Sequence, residues 1–419
     1  MNKWKYSLLD GQETQILDGD RGKNYPSKQE MLPHGDCLFL SATNVTNVGF
    51  NFGSCEFVSF ERDALLGKGK LQRQDSILTT RGTVGNVAFY SDSVEYENVR
   101  INSGMVIIRP SQDYIDPYFL AFFLRSKIFT DQVKSLTSGS AQPQLPIRDL
   151  RQVKMPVPPM SEQRTITAML RALDDKIELN RKTAATLEEM ARALYRSWFV
   201  DFDPVYAKAE GLAPVHMDAP TAALFPDGFG DDGLPEGWER RKVGDICRIK
   251  GGKQLTKDRF SESGQFPVFG GAGHMGQSDE FNTDGYVITV GRVGAYCGNF
   301  VANRGKSWVN NNASHVVPES NIPAEFLFLS LRCLDLSTIK KGAAQPFISN
   351  GDLAGLELVI SPEMNLRAFN DRASAILLRM EALHSEARTL AALRDMLLQR
   401  LMSGELRVGK ARERLEEVV

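Results

Sequence analysis

Two short segments set an arginine among glycines. Residues 79–90 read TTRGTVGNVAFY and residues 288–299 read ITVGRVGAYCGN, which place Arg81 and Arg292 beside turns. Glycine lets a backbone approach a partner closely. A guanidinium at such a turn can hold guanine bidentately or contact a phosphate; a plain surface arginine is the simpler alternative. Residues 240–259, RRKVGDICRIKGGKQLTKDR, carry eight Lys or Arg against two Asp, a local excess suited to phosphate contact. Gly251 and Gly252 make this run read as a loop rather than as a solvated helix face. The candidate contacts are Arg240, Arg241, Lys250, Lys253, Lys257 and Arg292, with a thinner set, Lys68, Lys70, Arg73 and Arg81, in the first half. Asn310, Asn311 and Asn312 could read adenine edges, although Asn runs more often build turns.

A catalytic constellation is not legible. The sequence has no G-x-x-x-x-G-K-[ST] phosphate loop, H-E-x-x-H zinc helix or G-x-S-x-G elbow. The nearest approach to an Asn/Asp-Pro-Pro-aromatic motif is DPVY at 203–206, which lacks the second Pro. The five histidines, His34, His216, His274, His315 and His384, are scattered, and none pairs with an evident nucleophile. Binding is therefore the expected chemistry, without catalysis and without a metal.

The elements that must position these residues come in duplicate. GSAQPQLPIRDL (139–150) lies over GAAQPFISNGDL (342–353) at an offset of 203, with six of twelve positions identical. PYFLAFFLRS (117–126) lies over AEFLFLSLRC (324–333) at 207, and the two Arg–Gly segments match at 209, with Gly82 on Gly291 and Gly85 on Gly294. Ordered anchors with a drifting offset indicate two diverged copies of one plan. Gln142 and Gln345 in the repeated phrase are tempting base readers, but a residue shared by both copies is a poor source of any difference between them. Shared scaffold is the better reading.

Each copy ends in a long uninterrupted helix. After Pro158 and Pro159, with Ser161 as candidate N-cap, apolar or small residues fall at Ile166, Leu170, Leu173, Ile177, Ala184, Leu187, Ala191 and Leu194, with Asn180 as the polar exception. The second series is Phe369, Ala373, Ile376, Met380, Leu383, Ala387, Leu390 and Leu397, interrupted by Arg394. Spacings of three and four make a coiled-coil seam. About 36 residues of helix span roughly 54 Å, so two antiparallel helices would make a rod with a globule at either end. Packing of each helix on its own globule is the alternative. Met169, Met190, Trp198 and Phe199 flank the seam and are expected to be exposed.

Composition bounds the rest. The chain has 419 residues, 42% hydrophobic and 24% charged, with a formal net charge of −2. This excludes a small, uniformly basic nucleic-acid binder but allows local basic patches. Five cysteines without close spacing suggest reduced thiols. The N-terminus lacks the apolar core of a signal peptide. The longest apolar run, YFLAFFL at 118–124, is too short to span a bilayer. A soluble, cytoplasmic protein is expected.

At this point the chain resembles the specificity subunits of type I restriction–modification systems. The resemblance is carried by Pro156, Pro158, Pro159, Glu162, Gln163, Ile166, Leu170, Leu173, Asp174, Lys176, Ile177 and Asn180, together with LYRSWFVDFDPV (194–205) and LPEGW (234–238). In the second helix Asn365 and Leu366 replace the Glu-Gln pair. The resemblance implies a mixed α/β (α+β) chain with two target-recognition domains, at 1–158 and 238–361. It implies conserved helices at 159–200 and 362–405 forming an intramolecular coiled coil, a Pro/Gly-rich linker at 201–237, and a charged tail at 406–419. It further implies a noncatalytic DNA-reading subunit for an asymmetric two-part double-stranded DNA site with an unread spacer. Two modification subunits that methylate adenine with S-adenosylmethionine, and restriction subunits that use ATP and Mg, would be its partners. No cofactor is expected in this chain and no membrane. The competing readings are a coiled-coil protein scaffold with incidental DNA binding, and an undetected nuclease.

Overall fold

The computed structural model describes residues 4–139, 143–342 and 344–406. Gln142 of the repeated phrase and the tail beyond Leu406 lie outside the described residues. The chain forms two compact units, one of residues 1–179 with 387–419 and one of residues 180–386. Both mix helix and sheet, and both follow one topology.

In the first unit a four-stranded antiparallel sheet runs Thr14–Asp18, Met105–Pro110, Ser76–Thr79, Val87–Phe89 in spatial order. Its central strand, MVIIRP, is apolar and buried almost throughout, as a strand covered on both faces must be. A second sheet orders Phe57–Val58, Cys37–Leu40 and Val99–Ile101, the last two parallel. Strand Lys5–Leu8 pairs with Lys154–Val157. The second unit repeats all three. Its four-stranded sheet is Cys247–Gly251, Ala313–Pro318, Val287–Gly291, Phe300–Asn303. Its three-stranded sheet is Gly273–Ser278, Phe266–Gly270, Trp308–Val309, the last two again parallel. Glu239–Lys242 pairs with Glu357–Ile360. The duplication expected from short phrases therefore extends to strand order and direction.

The apolar run YFLAFFL is the helix Pro117–Arg125. Asp116 caps it by accepting from the Tyr118 and Phe119 N–H groups at 3.0 Å each, with Pro117 in the first turn, where its missing N–H costs nothing. Residues 119–124 are all buried, so the run fills a core. Its counterpart is Ala324–Cys333. The helix Lys127–Leu136 has no counterpart among the described residues of the second unit, which show no helix between Ala324–Cys333 and Asn350–Ala354.

The long helices are Met160–Phe199 and Glu363–Met402. Ser161 is not the N-cap: the Pro159 carbonyl accepts from the Glu162 and Gln163 N–H groups at 2.9 and 3.0 Å, so the helix starts at Met160, two residues earlier than a Ser161 cap would place it. Each unit takes part of both helices. In the first, Ile166, Leu170, Leu173 and Ile177 share a core with Ala387, Leu390 and Leu397, and Arg394 pairs with Asp174 at 2.6 Å. In the second, Ala184 and Ala191 share a core with Phe369, Ala373, Met380 and Leu383, while Leu187, Leu194 and Ile376 are half-buried against it. Asn180 is buried.

Trp198 and Phe199 are not exposed. Phe199 packs edge-on against Phe369 at 5.0 Å and Phe326 at 4.9 Å, and Trp198 does the same against Phe225 at 5.0 Å. Met190 is exposed, and Met169 is half-buried. Residues 201–237 also depart from expectation. They contain two short helices, Asp203–Ala209 and Ala219–Ala222, and send Val205, Phe225 and Leu234 into the core. Pro204 and Pro220 sit in first turns, where proline is compatible with a helix.

Candidate nucleic-acid interface

The repeated phrase closes onto the glycine turn in both units. In the first unit, Gly82 and Gly85 have φ of 75° and 97°, and the Gly85 N–H returns to the Thr79 carbonyl at 3.0 Å. The phrase then bonds alongside. Leu145 N–H donates to the Thr80 carbonyl at 2.9 Å, Arg81 bridges Gln144, and Ser138 and Gln144 exchange bonds of 3.0 and 2.9 Å across Gly139. In the second unit, Ile348 N–H donates to the Arg292 carbonyl at 2.9 Å and Val293 bridges Phe347. Lys341 and Phe347 exchange bonds of 3.0 and 2.8 Å across Gly342. Gly139 and Gly342 match in φ at 87° and 85°.

These bonds fix which positions are equivalent, and the answer corrects the sequence alignment. Thr80 corresponds to Arg292, Arg81 to Val293, and Gly82 to Gly294, whose φ is 73°. The Thr80 N–H reaches the Gly104 carbonyl at 2.8 Å, and Arg292 N–H reaches that of Asn312 at 3.1 Å. The true offset is therefore 212 (292 minus 80), three more than the glycine match gave, and Arg81 and Arg292 are not counterparts. Arg81 is exposed; its N–H donates to the Gly104 carbonyl at 3.2 Å, while its side chain makes no hydrogen bond or ion pair with a described residue. Arg292 is half-buried, and its Nε is buried without a partner among the described residues.

The other candidate cations are dispersed. Arg73 lies 4.4 Å over the Tyr90 ring and donates to the Ser91 and Val94 carbonyls at 2.7 and 2.9 Å, which ties it inward. Lys70 pairs with buried Asp63, and Lys68 is exposed. The run 240–259 is not one loop: it crosses two strands, Glu239–Lys242 and Cys247–Gly251, joined by the short helix Val243–Ile246, and Gly251 ends the second strand. Arg240 and Arg241 lie in Glu239–Lys242 beside Val359 and Leu358, whereas Lys250 lies in Cys247–Gly251 opposite His315. Between the two strands, Val243 and Ile246 are the buried residues of the short helix Val243–Ile246, three apart on one face. Lys253 and Lys257 follow, exposed. Burial, then the Lys250 charge, holds His315 below its ordinary pKa. Asn310 is a fold element: its Oδ1 accepts from Leu255 and Asn311 N–H groups at 3.2 and 2.8 Å.

Nucleophiles are also tied down. Burial pushes the Cys37 and Cys247 thiols up to about 12, which makes them poor nucleophiles at neutral pH. Among the described residues, no group of three or more His, Cys, Asp or Glu is placed to hold a metal ion.

Sequence reasoning missed Gln144, Phe347, Val293 and Tyr296. Val293, Tyr296 and Phe347 are apolar yet 41%, 56% and 41% exposed at one turn. In the first unit the turn borders a cleft of about 800 Å³ lined by Gly82, Gly85, Asn47, Lys134 and Thr137.

Residues 15–189 and 235–364 both match the family described as the type I restriction modification DNA specificity domain. The chain belongs to that family. Over 472 aligned residues it is 25% identical to the type I restriction enzyme HindI specificity subunit of Haemophilus influenzae, covering 97% of this chain and all of the relative. It is 26% identical over 360 residues to the MjaIX specificity subunit of Methanocaldococcus jannaschii, covering 79% of this chain and 77% of that one. The crystal structure of a type I restriction–modification S subunit from M. genitalium shares the fold, with a TM-score of 0.56 at 18% identity and 96% of both chains covered.

The second specificity-domain match stops at Met364, immediately before Asn365 and Leu366. The structure explains the change. Gln163 is fully buried; its Oε1 accepts from Asp116 N–H at 2.8 Å and its Nε2 donates to the Tyr114 and Pro158 carbonyls at 3.1 and 2.9 Å. Glu162 accepts from the Trp4 indole at 3.0 Å. In the second helix Leu366 is simply buried, and Asn365 donates to the Leu224 carbonyl at 3.1 Å, in the segment between the copies. The Glu-Gln pair thus works as an internal brace.

Proposed function

We propose that the chain is the sequence-reading subunit of a type I restriction–modification enzyme, recognising an asymmetric two-part DNA site with an unread spacer. The observation that carries this reading is the paired family match, one on each structural copy. The long helices are proposed to form an antiparallel intramolecular coiled coil that spaces two target-recognition domains, so half-sites would lie about one helical turn apart or slightly more. The antiparallel contacts inside each unit support this: Asp174 meets Arg394, and Phe199 meets Phe369.

The proposed partners are double-stranded DNA, two modification subunits that bring S-adenosylmethionine and methylate adenine N6, and restriction subunits that use ATP and Mg. This chain would carry no cofactor and no catalysis, and would act in the cytoplasm. No described helix is long and apolar enough to cross a membrane. The scaffold reading is not favoured, because both copies belong to a DNA specificity family.

The test is to co-express the chain with its cognate modification subunit and map methylated adenines genome-wide. A two-part motif is expected; a continuous motif, or none, overturns the reading. Filter binding across salt concentrations should show a steep loss of affinity from phosphate contact.

A further inference from the structure

Identical clamps with different tips are the observation to explain. In both units the same backbone bonds and positive-φ glycines hold a cross-strand pair at the turn: Arg81 with Gln144 in the first, Val293 with Phe347 in the second. Residues directly opposite in an antiparallel pair put their side chains on one face. Arg81 and Gln144 are exposed, and neither side chain has a hydrogen-bond partner among the described residues. Val293 and Phe347 are 41% exposed each, and exposed apolar groups gathered at one tip mark a contact surface. Exposed cations adjoin both tips: Lys134 lines the cleft beside Gly82, and Lys340 and Lys341 precede Gly342.

We infer that these two pairs are specificity-determining, each reading bases in one half of the DNA target. The inference rests on the specificity-subunit reading above. The chemistry assigns what each pair takes. Arg81 matches guanine O6 and N7, and Gln144 matches adenine N6 and N7, so the first unit reads purines by hydrogen bonds in the major groove. Val293 and Phe347 can donate nothing and make apolar contact with a thymine methyl. The two halves of the target then differ because the tips differ while the clamps do not.

The experiment uses the complex of this chain with its modification subunit and reads the methylation motif. The double variant Val293→Arg/Phe347→Gln should change one or two positions in one half of the motif and leave the other half intact. The double variant Arg81→Val/Gln144→Phe should change the opposite half. If both variants methylate the wild-type motif, the inference is overturned. If a double variant fails to assemble, Arg81→Lys and Phe347→Leu carry the test through methylation rates on cognate and singly substituted duplexes. At least a tenfold loss of discrimination at one base position is expected, and unchanged discrimination overturns the inference. Loss of modification-subunit binding with an unchanged motif would make the tip a protein-docking face and also overturns it. A wild-type complex without a two-part motif sinks the underlying reading instead.

Discussion

Arg394, the one charged residue in the second apolar seam, donates to the Asp174 carboxylate at 2.6 Å, and the same guanidinium reaches Asp395 at 2.7 Å. A charge in a seam is tolerated when its partner stands on the facing helix, and both residues here are only about a quarter exposed. A double-mutant cycle on Arg394→Ala and Asp174→Ala, read by urea unfolding, should give a coupling of about 1 kcal/mol. Additive single losses would show that the pair contributes nothing of its own.

Gln163→Ala should cost about 2–4 kcal/mol, because it removes three hydrogen bonds from a fully buried side chain and strands the Asp116 N–H and the Tyr114 and Pro158 carbonyls. Glu162→Ala, next to it, removes one bond to a part-buried indole and should cost less. Thermal melts of the two variants rank them, and an equal or reversed order would contradict the brace.

Asp63 supplies a pH signature. Burial pushes its carboxyl up, but hydrogen bonds from Lys70, Arg100 and Asn98 outweigh this and bring it down to about 2. The folded pKa lies below the unfolded one, near 3.9. This group's contribution, about 2 kcal/mol, is therefore complete above about pH 4 and is lost as pH falls toward 2. Acid unfolding of the wild type should steepen in that window, and Asp63→Asn should flatten it while lowering stability at neutral pH, where Arg100 is left buried without its carboxylate.

Phe369 sits among Tyr195, Trp198, Phe199 and Phe326, with ring centroids 5.0–6.1 Å away. Phe369→Ala should cost about 3–5 kcal/mol. Met190→Ala, an exposed change on the other long helix, should shift the urea midpoint little.

Gly342→Ala should damage the clamp. Its φ is 85°, and a Cβ there would sit 2.7 Å from the Gln345 carbonyl oxygen. Left-handed backbone in a non-glycine residue costs about 1–2 kcal/mol before that clash. DNA affinity should fall while the methylated motif stays the same; a changed motif would extend the reading role from Phe347 to the part of the phrase that both copies share. Gln345→Ala, an exposed side chain on the same loop, should also preserve the motif.

Much of the architecture was legible because it rests on local pattern. The repeated phrase located a real clamp, and the three-four spacing located helices whose apolar positions are buried. What failed was register. Gly82 and Gly85 match Gly291 and Gly294 in spacing, yet the hydrogen bonds align Gly82 with Gly294, because Leu145 N–H meets the Thr80 carbonyl where Ile348 N–H meets that of Arg292. Only hydrogen bonds between distant segments reveal that. Arg73 misled for the same reason: its acceptors at Ser91 and Val94 are about twenty residues away. Trp198 was misplaced because its partner, Phe225, comes from a stretch whose prolines suggested no packing at all.

The first unit draws on residues 1–179 and 387–419, with the whole second unit, 180–386, spelled out between them. On a ribosome adding roughly 5–20 residues per second, those 207 residues (386 minus 180, plus one) take about 10–40 s. Throughout that interval the stripe of Ile166, Leu170 and Leu173 waits for Leu397, Leu398 and Leu401, which are made only after the second unit. The domain begun first is thus the last to close. A chain stalled after residue 386 would carry an intact second unit and, in the first, an open apolar seam, the kind of surface that chaperones and proteases recognise.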